Sequence, residues 1–410
     1  MMLSAVAMVA ALVALLAFAP FASATSDPLA SGTTTISLNK GLVKKLKKYG
    51  VKVLKVSPAT VKGRNVALPV SAGSLDPTTG QGTIEHSGGI KFKAGKRTAP
   101  VNTLVLETAT GALNAKVAGK SMKFASVTGV TVARNGFGAN LNIASLKLTG
   151  KAAKQLNKKL GFTGKKGKGG KKGGKASASK ALQPPFKGKQ VLGSAASETQ
   201  PKTVAVLATG KASLNTNEAT VKKFVSKVLP AGEGLGVEIQ PVSPTELEPV
   251  ANPFTPVLKF PIAGGTIAPD ASSGIVQTSG GVKLVQTPEK EVGPLIKGTT
   301  TLTLGNIWVD LGAKTATAEV TIESTISPKL NKGSLGRASI ADLDLTGATI
   351  KSDASAHTVT VENAVATLQE ITAETLTQVF GAPYDEAKLS HPKFAKGDGL
   401  GTFSFTATTQ

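Results

Sequence analysis

The chain has 410 residues, a formal net charge of +23, 4% aromatic residues and no cysteine. That length allows two ordinary domains with real cores. Without cysteine there are no disulfides, thiolate metal sites, iron–sulfur clusters or cysteine nucleophiles, and one Trp and two Tyr leave little for a broad aromatic binding surface.

The charge is unevenly spread. From Thr25 to Gln200 there are 31 Lys+Arg against 5 Asp+Glu, a net of +26, and from Pro201 to Gln410 there are 17 against 20, a net of −3. A field of that size predicts a polyanionic neighbour for the first half: a wall teichoic polymer, an anionic membrane surface or an acidic ligand. Nucleic acid is the other usual reading of a basic chain. The signs of export and the lack of aromatics among the lysines disfavour it.

In chain order, residues 1–24 come first. They are apolar from Leu3 to Phe21 and close on Ala22-Ser23-Ala24, small residues that suit a signal peptidase. The expectation is export with cleavage after Ala24, to a secreted or envelope-associated protein. A retained anchor is the alternative, since the run is just long enough to cross a bilayer. No second apolar run of that length follows.

A short helix is predicted from Asn39, whose side chain can cap free amides, to the residue before Gly50, which can take the left-handed C-terminal position. Leu42, Leu46 and Tyr49 form its apolar stripe, and five lysines surround the other faces. Alternation of apolar and polar residues predicts strands in "VKVLKV" (51–56), "GTIEHSGGIKF" (82–92), "ATAEVTIEST" (316–325) and "VTVENAVATL" (359–368). Turns are expected at Asp76-Pro77, Gly88-Gly89, Thr110-Gly111, Ala268-Pro269-Asp270 and Gly280-Gly281. The Gly-Gly pairs would supply the positive φ of tight hairpins. A second helix is predicted from Thr149 to Gly161. The tract from Gly164 to Lys180, "GKKGKGGKKGGKASASK", cannot pack a core and is expected to be disordered.

The chain also repeats itself. "LPVSAGSLDPTTGQGTIEHSGGIKF" from Leu68 aligns without a gap with "FPIAGGTIAPDASSGIVQTSGGVKL" from Phe260. "ISLNKGLVKKLKKYGVKV" from Ile36 resembles "ASLNTNEATVKKFVSKVL" from Ala212, and the helix from Thr149 has an echo from Thr372 to Gly381. A period this long means two globular domains rather than a solenoid. The domains are placed at 25–200 and 201–410, with the joint near Gln200–Val204 and the lysine–glycine tract in a loop of the first. The predicted fold is all-β: two tandem antiparallel β-sandwiches, partly barrel-like, each with two short helices.

Signatures of catalysis are absent. His86, His357 and His391 lie far apart and form no metal-binding helical pair, and no G-x-S-x-G elbow exists. "GGKKGGKA" keeps phosphate-loop spacing at Gly169, Gly174 and Lys175, but Ala176 stands where magnesium needs Ser or Thr, and no strand precedes it. Asp342 and Asp344 alternate with Leu343 and Leu345 and are read as solvent-facing. His86 is read as an outward strand residue, and Trp308 as packing on or bordering the sandwich. The expectation is a protein that binds rather than an enzyme.

Two motifs resemble the Htaa-domain family, bacterial exported haem-uptake modules. Leu68-Pro69-Val70, Gly80-Gln81-Gly82-Thr83-Ile84 and Gly89-Ile90-Lys91-Phe92 are similar to the family's [FY]-P-V … T-G-x-G-T-V … G-x-V-x-F run. Lys40 to Tyr49 resembles its opening helix, W-G-V-K-x-S-F-x-x-Y. The resemblance implies a β-sandwich with short helices and places Tyr49 on the family's haem-ligating tyrosine, whose phenolate is a hard donor suited to ferric iron. Lys40 replaces the family's Trp and Lys45 its Ser. Its histidine would fall near Gly95-Lys96, where there is none, and the second copy has Lys227 at the place of Tyr49.

Two functions follow as expectations. One is a haem-binding or haem-relay module with Tyr49 as ligand and lysines near the propionates. The other is a structural or adhesive envelope protein holding anionic wall polymer. In both, Lys44, Lys45, Lys47 and Lys48 of the helix and Lys165, Lys166, Lys168, Lys171, Lys172 and Lys175 of the tract are the candidate contacts. No metal other than haem iron is expected.

Overall fold

The structure is a computed structural model. It describes residues 26–162, 184–225, 234–248, 250–287, 298–386 and 392–410. The N-terminal apolar segment, the lysine–glycine tract, Lys227 and His391 lie outside the described residues.

The first half contains β1 (Asp27–Leu38), α1 (Lys40–Lys48), β2 (Val51–Val56), β3 (Thr60–Lys62), β4 (Asn65–Leu75), β5 (Gly82–Ala94), β6 (Arg97–Glu107), β7 (Ala112–Val117), β8 (Lys120–Asn135), β9 (Gly138–Leu148), α2 (Gly150–Leu160) and β10 (Val191–Pro201). Antiparallel pairing runs β5-β6-β7-β8-β9-β10-β1-β4 and returns from β4 to β5, closing the sheet. Closure leaves no open edge among these strands, and alternate residues line one interior. In β10 the pattern is near-perfect alternation of exposed and buried residues.

The second half repeats the plan with β11 (Val204–Ala205), β12 (Lys211–Thr216), α3 (Glu218–Val225), β13 (Val237–Val242), β14 (Glu246–Glu248), β15 (Val257–Ile267), β16 (Gly274–Thr278), β17 (Gly281–Gln286), β18 (Thr300–Asp310), β19 (Thr315–Ser324), β20 (Gly333–Asp344), β21 (Thr349–Asp353), β22 (Thr358–Leu368), α4 (Glu370–Glu386) and β23 (Gly399–Thr408). Here β16-β18-β19-β20-β22-β23-β12-β15 close on β16. The protein is therefore two antiparallel barrels, each with its own apolar core and two helices. The last strand of the first sheet ends at Pro201 and the first strand of the second begins at Val204.

Three local expectations change. The Gly-Gly pairs are not hairpin turns but the bulge at which a long strand exchanges partners: His86 pairs with Val70 of β4, whereas Gly89 pairs with Val56 of β2. At Gly88 φ is +77°, and a Cβ would lie 2.6 Å from the Ala59 nitrogen. At Gly280 φ is +81°, and a Cβ would lie 2.7 Å from that of Thr245. The two copies share Ser-Gly-Gly because backbone crosses backbone there, which only glycine permits. The echo helix runs Glu370–Glu386, past Gly381. Finally, the counterpart of Asn39 is Asn217, whose Oδ1 accepts from the Thr220 amide, and not Asn215 of the second "SLN".

The β8–β9 hairpin joins the barrels. Phe137 at its tip is buried in the second barrel's core cluster, with its ring edge-on to His357 at 6.2 Å. Arg134 donates to the Gln410 carbonyl, and the Lys202 amide donates to the Pro28 carbonyl at 2.6 Å.

Candidate functional site

Local signals build α1 as expected. Asn39 Oδ1 accepts from the Gly41 and Leu42 amides, Tyr49 is the C-cap, and Gly50 takes φ +65°. Leu42 and Leu46 are buried, and Tyr49 is half-buried at the rim of the same core. Helix α2 ends nearby: Thr149 caps its start and Gly161 its end, at φ +82°. Phe162, just beyond, meets the Tyr49 ring edge-on at 5.9 Å. Residues 184–190 run along α2: Asn157 exchanges two hydrogen bonds with the Phe186 backbone, the Phe186 ring packs on Phe92 at 5.0 Å, and Gly188 lies against Gly150 at the start of the helix.

This end of the first barrel gathers positive charge. Lys44, Lys47 and Lys48 of α1 are exposed and Lys45 is half-buried; Lys158 and Lys159 in the last turn of α2, Arg97 at the start of β6, and Lys187 join them. Arg97 lies against Gly161. Burial, and then the neighbouring charge of Lys187, hold the Lys45 ammonium below its ordinary value. Cations at helix C-termini are favourable to the helix, but they leave a surface that repels itself. The first barrel's carboxylates lie elsewhere. Glu107 ends the strand that Arg97 begins, roughly 30 Å away, and Asp27 and Asp76 sit near Arg134, by the junction with the second barrel. Among the described residues every ion pair belongs to the second barrel.

The Tyr49 hydroxyl has no hydrogen-bond partner among the described residues. It is therefore free to offer oxygen to a ligand. The tract carrying Lys165, Lys166, Lys168, Lys171, Lys172 and Lys175 lies outside the described residues, but in sequence it begins directly after Phe162 and its neighbour Thr163.

Among the described residues the interior of the first barrel holds only a small cavity. That cavity, lined by Thr34, Leu68, His86, Leu113 and Ile143 among others, is about 10 Å³, the room of a single water. His86 reverses its expected place: it is buried, with Nδ1 3.0 Å from the Leu104 carbonyl and Nε2 2.6 Å from Thr34 Oγ1. Thr34 Oγ1 in turn lies 2.8 Å from Ser197 Oγ. Burial pushes the His86 pKa down. Since a carbonyl can only accept, neutral His86 carries its proton on Nδ1 and accepts at Nε2 from Thr34. The parity signal for this was present, because His86 lies two residues from buried Ile84 on the same face.

The other singled-out residues are structural. Asp342 accepts from Gln369 at 2.7 Å, and exposed Asp344 caps its own turn through the Thr346 amide. Trp308 stands on the outer face between buried Ile307 and Val309, with the Arg337 guanidinium 3.7 Å from its ring centroid. No cluster of three or more potential metal-ligating side chains occurs among the described residues.

No protein-family model matches the chain, and no curated protein matches it. Among solved structures it is similar to the C-terminal domain of HtaA from Corynebacterium glutamicum, with 15% identity over 50% of this chain and 99% of that one, at a TM-score of 0.32. It is also similar to the N-terminal domain of HtaA from the same organism, with 14% identity over 50% of this chain and 98% of that one, at a TM-score of 0.31.

Proposed function

We propose that this is an exported, non-enzymatic binding protein that takes an anionic ligand on the α1–α2 end of its first barrel. The observation that carries this reading is the set of cations without an acidic partner on α1, α2, β6 and the segment after the lysine–glycine tract, at the end of the first barrel where Tyr49 meets Phe162. Charge alone selects an anion. The phenol selects a ligand with an acceptor for oxygen, and the motif resemblance around Tyr49 names haem as that ligand. A ferric haem would be held through the Tyr49 oxygen, a hard donor, with Phe162 beside the ring and lysines to meet the propionates. The small barrel cavity makes this a surface site.

Titrating the purified protein with hemin, followed in the Soret region, tests the reading. Wild type should shift the band, and Tyr49→Phe should lose the shift while keeping its fold by circular dichroism. A shift that survives Tyr49→Phe, or none in wild type, removes haem.

A second reading is anionic wall polymer. It is favoured by the spread of cations over α1, α2 and Lys187, wider than two propionates need. Such binding falls steeply with added salt, since the Debye length shrinks from about 10 Å at 0.1 M to about 3 Å at 1 M. Retention on teichoic polymer that is indifferent to salt and to deletion of residues 164–180 would exclude it.

A further inference from the structure

The duplication sets two helices, α1 and α3, in the same place in their barrels, and they differ in how their lysines are used. Val43-Lys44-Lys45 follows the capping Asn39 as Val221-Lys222-Lys223 follows the capping Asn217. In the second barrel Lys222 Nζ lies 2.6 Å from Glu218, one turn earlier. Lys223 Nζ lies 2.6 Å from Asp398, donates to the Lys393 carbonyl at 3.1 Å and stands 5.5 Å from the Phe394 ring centroid.

The first barrel holds neither carboxylate. Glu218, the residue after its cap, corresponds to Lys40. Asp398 corresponds to Gln190, because the Asp398 carbonyl accepts from the Leu368 amide as the Gln190 carbonyl accepts from the Leu148 amide, at 2.8 Å in both copies. Two exchanges thus turn a self-neutralised helix end into a cationic one. The charged neighbour of Lys45 is not an acid but Lys187.

We infer that the two copies have divided their roles: each chain takes up one anionic ligand, on the first barrel, and the matching end of the second barrel is held closed to anions by Glu218 and Asp398. This rests on the function proposed above and adds its stoichiometry and the residues that set it.

The test exchanges the two residues between copies and measures binding of inorganic tripolyphosphate by titration calorimetry on the full chain at low salt. Wild type should bind one equivalent. Lys40→Glu with Gln190→Asp should weaken that site by about a hundredfold, since three charge units turn from attraction to repulsion. Glu218→Lys with Asp398→Gln should add a second equivalent and leave the first unchanged. Each exchange installs a residue that the other copy already carries in that place, and thermal melts report whether the fold survives. As a control, Glu218→Asp should leave the count at one. Two equivalents in wild type, or a count still at one in the folded second-barrel exchange, overturns the division of roles while leaving the anion reading in place. No binding by wild type overturns both.

Discussion

Replacing Thr34 by valine keeps the shape of the side chain and removes one hydroxyl from the centre of the first barrel. That hydroxyl stands between two buried groups, His86 Nε2 at 2.6 Å and Ser197 Oγ at 2.8 Å. His86 is tied to the Leu104 carbonyl through Nδ1, so its other nitrogen is left an acceptor with no donor, and Ser197 loses the oxygen it donates to. A buried polar group without a partner costs about 1–3 kcal/mol, so Thr34→Val should destabilise the first barrel by about 2–4 kcal/mol. Ser197→Ala removes only the outer donor, leaves Thr34 donating to His86, and should cost less than about 1.5 kcal/mol. The second barrel shows an alternative solution. By strand register Ala212, Thr278 and Phe405 occupy the places of Thr34, His86 and Ser197, and Thr278 keeps the matching hydrogen bond to the Ile307 carbonyl at 2.7 Å. The triple replacement Thr34→Ala, His86→Thr, Ser197→Phe should therefore cost less than Thr34→Val alone, because no polar group is orphaned. Urea unfolding of the full chain, monitored by circular dichroism with wild type in parallel, gives these differences. A loss under about 0.5 kcal/mol for Thr34→Val would refute the argument, as would a triple variant worse than the single.

Asp27 is buried at the junction, and its pKa is pushed up to about 6 from 3.8, chiefly by desolvation. The folded chain thus holds this proton more tightly than the unfolded chain, so the group costs stability at neutral pH and the cost fades as pH falls from about 6 to 3.8. Asp27→Asn should stabilise at pH 7 by at most about 3 kcal/mol, with no gain near pH 3.5, roughly where the unfolded carboxylate itself takes up the proton, as read by thermal melts across pH. His86 works the other way: its pKa is lowered by burial, so stability is full above the unfolded histidine range near 6.5 and falls as pH drops through it. That loss should be visible in the Asp27→Asn background and absent when the triple replacement above is added. Gly88→Ala should cost about 2–4 kcal/mol, combining left-handed strain with a clash against the Ala59 backbone. Gly95→Ala, at φ +55° with open space around it, should cost only about 1–2 kcal/mol; equal losses in chemical denaturation would show that the crossing at Gly88 is not tight.

Features set by neighbours along the chain could be read from the residues. Helix α1 is the clearest, since an asparagine cap, an apolar stripe of Leu42, Leu46 and Tyr49, and a closing glycine all act within three turns. The duplication was equally open, because a repeated pattern of alternation and glycine needs no third dimension to be seen. Strand parity was legible too, but parity says only which residues share a face. Closure of the sheet decides which face is inside, and that turned His86 from an expected surface residue into the centre of a buried hydrogen-bonded chain. The Gly-Gly pairs looked like hairpins for the same reason: their role as a crossing depends on Ala59 and Thr245, distant backbone that only pairing brings near.

Composition by itself determined that the first half is strongly basic, and local pattern determined the helices, the strands and their twofold repetition. Tertiary structure alone decided where that charge stands unopposed. It placed the ends of α1 and α2 side by side, about a hundred residues apart in the chain, and sent the first barrel's few carboxylates to other parts of the fold. In the second barrel it set Glu218 and Asp398 against Lys222 and Lys223. Coulomb energy depends on separation in space, and separation in space is what a linear sequence does not state.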